Sequence, residues 1–72
     1  MAQRTAGPSV LAIEVRSRRK DLGLTQVEVA ELAGVSDRFV MELEQGKPTV
    51  RLDKLTAVLE AMGLTLRAEV RR

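Results

Sequence analysis

Two short segments, each opened by a capping residue and closed by a glycine, stand back to back in the middle of this chain and leave few folds open to it. Thr25 begins the first, and Glu28 follows three residues on. That is a capping box, in which each side chain satisfies the other residue's backbone N–H. Val29, Ala30 and Ala33 supply the inward face, and Gly34 stops the segment. Ser36 caps the second, which runs to Gln45 with Val40 and Leu43 inward and Gly46 as its stop. Only Gly34 and Val35 lie between the two, so the helices meet through a tight turn, and Ala30 is small enough to let them approach closely.

The flanking segments supply two more helices. Ser9 can cap a first helix over residues 9–22, with Leu11, Val15 and Leu22 on one face and Gly23 after it. Residues 1–8 show no periodicity and read as an arm. Beyond the central pair, Gly46-Lys47-Pro48-Thr49 is a loop, because Pro48 cannot continue a helix. A fourth helix follows over residues 52–62 with the stripe Leu52, Leu55, Leu59 and Met62, and Gly63 ends it. Residues 9–63 thus form one domain, and residues 64–72 behave differently. Leu64, Leu66, Ala68 and Val70 alternate with polar residues at the period of a strand. A lone strand leaves its backbone groups unpaired. The economical partner is the same strand of a second copy, related by a two-fold axis. The expected architecture is therefore all-α, four main helices plus a C-terminal strand that pairs across a homodimer.

Composition narrows the function. The chain has 72 residues and neither cysteine nor histidine. Disulfides and most structural zinc sites are excluded, and so are the commonest general bases and nucleophiles. Carboxylates need a walled pocket for acid–base work, which so short a chain hardly builds, so no enzyme, metal or cofactor is expected. A second subunit is the remaining way to enlarge a small core. No apolar run approaches the roughly 20 residues of a membrane span, and the N-terminus lacks a signal-like apolar stretch. The expectation is a cytoplasmic protein with no membrane partner. A net charge of +2 is modest, while the isoelectric point near 9.7 falls in the range of DNA-binding domains.

The chain resembles the Xre, or Cro/lambda-repressor-like, helix-turn-helix family over roughly residues 15–64. The residues that carry the likeness are Leu22-Gly23-Leu24-Thr25-Gln26, Val29-Ala30, Gly34-Val35-Ser36 and Leu43-Glu44-Gln45-Gly46-Lys47. A finer resemblance is to HipB-type antitoxins, which partner HipA-like kinase toxins. It rests on Gly46-Lys47-Pro48-Thr49-Val50-Arg51-Leu52-Asp53-Lys54, the following helix, Gly63-Leu64 and the C-terminal strand. The resemblance implies a lambda-repressor-like bundle, and in the HipB group the strand joins its dimer mate.

Under that resemblance the third helix is the recognition helix, and its N-terminal residues meet base edges in the major groove. Asp37, Arg38, Met41 and Glu42 are not needed for the core and are the candidate base readers. Arg38 either grips guanine O6 and N7 bidentately or contacts a phosphate. Asp37 and Glu42 either accept from cytosine N4 or are plain helix-face charges, Asp37 then favouring the helix N-terminus. Thr25, Gln26, Ser36, Lys47 and Arg51 are assigned to the DNA backbone. In the family a glutamine at the position of Gln26 touches the backbone or a base. Phe39, the only aromatic residue, either pads the recognition helix or touches a thymine methyl or sugar. Arg19 and Glu44 point inward, where a lone charge is very costly, and the family ties its first helix to the end of the recognition helix with such a bridge. The two are expected to pair. Arg16, Arg18 and Lys20 then form a solvated basic face.

The function these expectations describe is a sequence-specific repressor that binds double-stranded operator DNA as a homodimer. By resemblance it is the autorepressing antitoxin of a type II toxin–antitoxin pair. The alternatives are a stand-alone or phage-type repressor, and an interaction module that has lost DNA binding. HipB-like proteins often extend past the strand in a flexible tail, whereas this sequence stops at Arg72. A toxin surface is accordingly expected on the helical body, helices one and four.

Overall fold

The computed structural model describes residues 7–70, with side chains from residue 10 onward. Four helices follow one another: α1 (Gly7–Asp21), α2 (Gln26–Ala33), α3 (Asp37–Glu44) and α4 (Leu52–Ala61). Helix α3 lies against α1 and α2, and α2 also lies against α4. Their shared core is aliphatic. Val15, Val29, Val40, Val58 and Met62 are fully buried, with Leu43, Leu55, Leu59 and Ala30 around them. Val29 and Ala30 sit next to each other on α2 and face α3 and α4 across contacts that a larger residue at position 30 would hold apart.

All four helices end in the same way. Two backbone bonds close each C-terminus, as in Val35 N to Ala30 O at 3.0 Å and Gly34 N to Glu31 O at 3.3 Å after α2. After α4 the pair is Leu64 N to Leu59 O at 2.8 Å and Gly63 N to Glu60 O at 3.1 Å. This is the Schellman closure, which needs a left-handed residue after the helix. Gly34 and Gly63 supply it with φ of 71° and 73°. At Gly34 the closure turns the chain sharply enough for α3 to begin at Asp37.

Three expectations at helix ends are corrected. Helix α1 begins at Gly7 rather than at a Ser9 cap, because a proline at position 8 costs no hydrogen bond in a first turn. The proposed arm is shortened accordingly, and residues 1–6 lie outside the described residues. Leu22 does not join the core but is exposed. Helix α1 has ended by then, and Leu22 sits in the closing turn; Ala12 takes the inward place. Leu52 is exposed too, since it is the first residue of α4 and overhangs the core, while Val58 completes the buried stripe. Residues 64–70, expected to pair only with a second copy, have no ladder within the single chain. No other extended segment among the described residues offers them a ladder, and only Leu64 packs against the core.

Arg18, expected on a solvated face, has a structural task. Its Nε donates to the Met62 carbonyl at 2.8 Å, so α1 holds the C-terminal end of α4. That carbonyl is among those a helix end leaves unpaired, and a cation there also suits the helix dipole. Arg18→Ala is expected to lower the unfolding free energy by about 1.5 kcal/mol. A urea titration should show an earlier midpoint at unchanged slope; an unmoved midpoint would mean that the contact contributes nothing.

Candidate nucleic-acid interface

The site is built on the N-terminal ends of α2 and α3. Thr25 caps α2: its Oγ1 accepts from Glu28 N at 3.0 Å, and the Glu28 carboxylate accepts from Thr25 N at 2.8 Å. Ser36 caps α3, accepting from Phe39 N at 3.0 Å. Both hydroxyl oxygens are therefore engaged as acceptors, while their protons stay available to a phosphate. The two caps fix where each helix starts, and the turn between them fixes how far α3 stands out.

Arg19 and Glu44 anchor the assembly from behind. Nε donates to Oε2 at 2.6 Å and Nη2 to Oε1 at 2.9 Å, a two-pronged pair whose side chains are only 12% and 4% exposed. Arg19 Nη1 also donates to the Leu24 carbonyl at 2.9 Å, and Gln26 Nε2 to Glu44 Oε1 at 3.1 Å. One carboxylate thus joins α1, the start of α2 and the end of α3. Burial pushes the Glu44 carboxyl up, but the hydrogen bonds from Arg19 and Gln26 and the Arg19 charge outweigh it and hold the group below the usual carboxylate range. Gln26 enters the site with one N–H of its amide committed to Glu44, which leaves its second N–H and its carbonyl oxygen for outward contacts.

On the solvent side the sequence-assigned residues fall into two clusters. Arg38 projects from the first turn of α3 with its side chain 79% exposed, and Asp37 and Met41 are exposed beside it. Glu42 lies one turn on and takes both neighbouring cations, Arg38 Nε at 3.2 Å and Lys47 Nζ at 3.2 Å. Those hydrogen bonds, the Lys47 one foremost, hold Glu42 below the ordinary carboxylate range. Each oxygen takes one of these hydrogen bonds and keeps a lone pair, so Glu42 retains acceptor capacity. Arg51 is paired bidentately with Asp53, Nη2–Oδ2 2.8 Å and Nε–Oδ1 3.1 Å, on the exposed surface. Asp53 also accepts from Lys54 N at 2.9 Å, so its charge answers the N-terminal dipole that a lone Arg51 would oppose.

An open cleft of about 440 Å³ runs between α3 and the start of α4, with Arg38, Lys47, Arg51 and Lys54 on its walls. Glu42 shares these walls, so the four cations leave the cleft with a net positive charge. Phe39 is half-buried against the core and also lines this cleft, with Lys54 Nζ 6.0 Å from its ring centroid. Lys54 and Val27 escaped the sequence reading. Lys54 stands three residues after Arg51, on the same side of α4's first turn, which was the available signal. Val27 lines a notch with Gln26, Asp37, Arg38 and Met41.

Among the described residues, no helix is long and apolar enough to cross a membrane. Residues 15–68 match the helix-turn-helix family model. An uncharacterised HTH-type transcriptional regulator of Sinorhizobium fredii is 41% identical over 66 residues, covering 92% of this chain and 87% of the relative. The clp gene regulator ClgR of Corynebacterium glutamicum superposes with a TM-score of 0.77 at 33% identity, over 92% of this chain and 85% of the other. A chain in a HipA–HipB–O2–O3 complex gives a TM-score of 0.83 at 21% identity, over 99% and 100%. At that identity the likeness is one of fold.

The buried carboxylate carries a prediction. Breaking the pair leaves a buried charge alone, so Glu44→Ala is expected to cost about 3 kcal/mol of stability. Because the folded carboxyl lies below its unfolded value, its contribution is full above the ordinary carboxylate range and is lost as pH falls through the folded value. Thermal unfolding across that range should therefore fall more steeply with acid in the parent protein than in Glu44→Gln. Parallel curves would refute the assignment.

Proposed function

The chain belongs to the helix-turn-helix family of DNA-binding transcriptional regulators, and on that premise we propose that it is a homodimeric repressor that reads operator DNA with α3. The observation that carries this reading is Arg38, held out from the first turn of a helix whose caps and buried ion pair fix its direction. A guanidinium so placed is suited to guanine in the major groove. Thr25, Ser36, Lys47, Arg51 and Lys54 flank it as phosphate contacts, and Asp37 and Met41 complete the reading edge.

The dimer half of the proposal rests on the far end of the chain. Residues 64–70 carry strand alternation but no partner, and Leu66 and Val70 are 48% and 86% exposed. Leu52, Leu59, Leu64 and Leu66 line one open groove, so an apolar surface continues from α4 into this segment. Pairing Leu64, Leu66, Ala68 and Val70 with the same residues of a second copy covers that surface and satisfies the backbone together. Two copies then present two α3 helices to half-sites about one helical turn apart, or a multiple of it.

The finer role proposed is that of an antitoxin that represses its own operon and partners a HipA-like kinase. The fold likeness to a chain of the HipA–HipB–O2–O3 complex supports it, since it extends over the whole of that chain.

Sedimentation and a DNA titration test the proposal. The parent protein is expected to run as a dimer and Leu66→Asp as a monomer. Two copies should bind duplex from upstream of the gene in preference to scrambled duplex, with affinity falling steeply with salt. Arg38→Ala should weaken specific binding about tenfold or more. Equal binding to both duplexes would sink the operator reading. The antitoxin role requires a kinase gene beside this one, whose product co-purifies with the protein and tightens operator binding; no such gene, or a product that does neither, leaves a stand-alone repressor.

A further inference from the structure

Val27 has no evident place in the fold. Helix α2 buries Val29 and Ala30 and half-buries Gln26 and Ala33, while Val27 stands 48% exposed. A β-branched residue is a middling helix former, and at a solvated position a straight polar chain would serve stability better. Met41 is in the same situation on α3: Val40 and Leu43 face the core, and Met41 is 40% exposed. The two meet. They line one notch of about 190 Å³ between the N-terminal half of α2 and the face of α3, rimmed by Gln26, Asp37 and Arg38.

The rim indicates what fits. Asp37 repels phosphate, so the sugar–phosphate backbone is a poor occupant. Arg38 stands at the same notch and is the residue directed at guanine. A base edge that enters beside Arg38 meets an apolar floor, and the major groove offers one apolar feature to such a floor, the C5-methyl of thymine. Methionine, flexible and polarisable, adapts to a small apolar group better than a branched side chain does.

We infer that Val27 and Met41 form the seat of a thymine methyl group next to the guanine gripped by Arg38. This rests on the operator reading above and deepens it: the half-site carries a thymine neighbouring a guanine, and part of its recognition comes from α2 rather than from α3. Gln26, held by Glu44, forms the fixed wall of the seat on the α2 side.

The test is a uracil scan. Each thymine of the bound duplex from upstream of the gene is replaced singly by deoxyuridine, which removes only the methyl group. One thymine per half-site should then lose about fourfold in affinity, the effect of taking one methyl group back into water. Deoxy-5-bromouridine at that position, with a halogen in the methyl's place, should restore binding. In Val27→Ala and Met41→Ala the same uracil should cost little, and because both side chains are half-exposed the variants should unfold at parental temperature. A flat scan in a protein that still prefers its duplex over scrambled DNA overturns the methyl seat and leaves the operator reading standing. Equal binding to both duplexes removes the operator reading, and the seat with it.

Discussion

The Glu44 carboxylate is the point on which this small domain turns. Arg19 from α1 and Gln26 from α2 both bond to it at the C-terminal end of α3. The aliphatic core beneath is thin, and hydrophobic packing alone does not specify direction. A two-pronged arginine–carboxylate pair does, because its hydrogen bonds exist at one mutual orientation only. The charges are deeply enough placed that either partner alone would be costly, so the three helices are held as a set. The exposed end of α3 inherits its direction from this buried end.

That arrangement separates the charges that build the protein from those that face outward. Arg18 and Arg19 come from one basic run, yet both are turned to the interior, one to the Met62 carbonyl and one to Glu44. Arg38, Lys47 and Arg51 lie in the open with carboxylate partners that screen them only weakly. Exposed pairs of this kind contribute little to stability. They are readily exchanged for phosphate, and until then Glu42 and Asp53 lower the attraction of the surface for arbitrary polyanions. The acidic residues on the recognition helix thus suit a discriminating DNA binder and are no argument against DNA.

The helices were legible in the sequence because their ends are marked. Thr25 with Glu28, and Ser36, fixed two starts, and the glycines after each segment fixed the stops. Leu22 and Leu52 misled because apolar periodicity runs past a helix end without knowing it: one residue sits in a closing turn, the other overhangs the core. Arg18 was unreadable for a different reason. Its partner is a backbone carbonyl 44 residues away, and a carbonyl has no sequence signature. Val27 was overlooked because an apolar residue in an amphipathic helix is ordinarily assigned to the core, and only exposure removes it from there. The alternation over residues 64–70 describes a surface that a single chain leaves uncovered.

The central claim is that α3 enters the major groove of DNA from a two-fold dimer. Methylation interference tests it most directly, since dimethyl sulfate marks guanine N7 in the major groove and adenine N3 in the minor groove. With the duplex from upstream of the gene, the account predicts that N7-methylated guanines block binding in two clusters on one face. The clusters should lie about one helical turn, or a whole multiple of it, apart. Interference confined to adenine N3, or a single cluster with no symmetric mate, would contradict it.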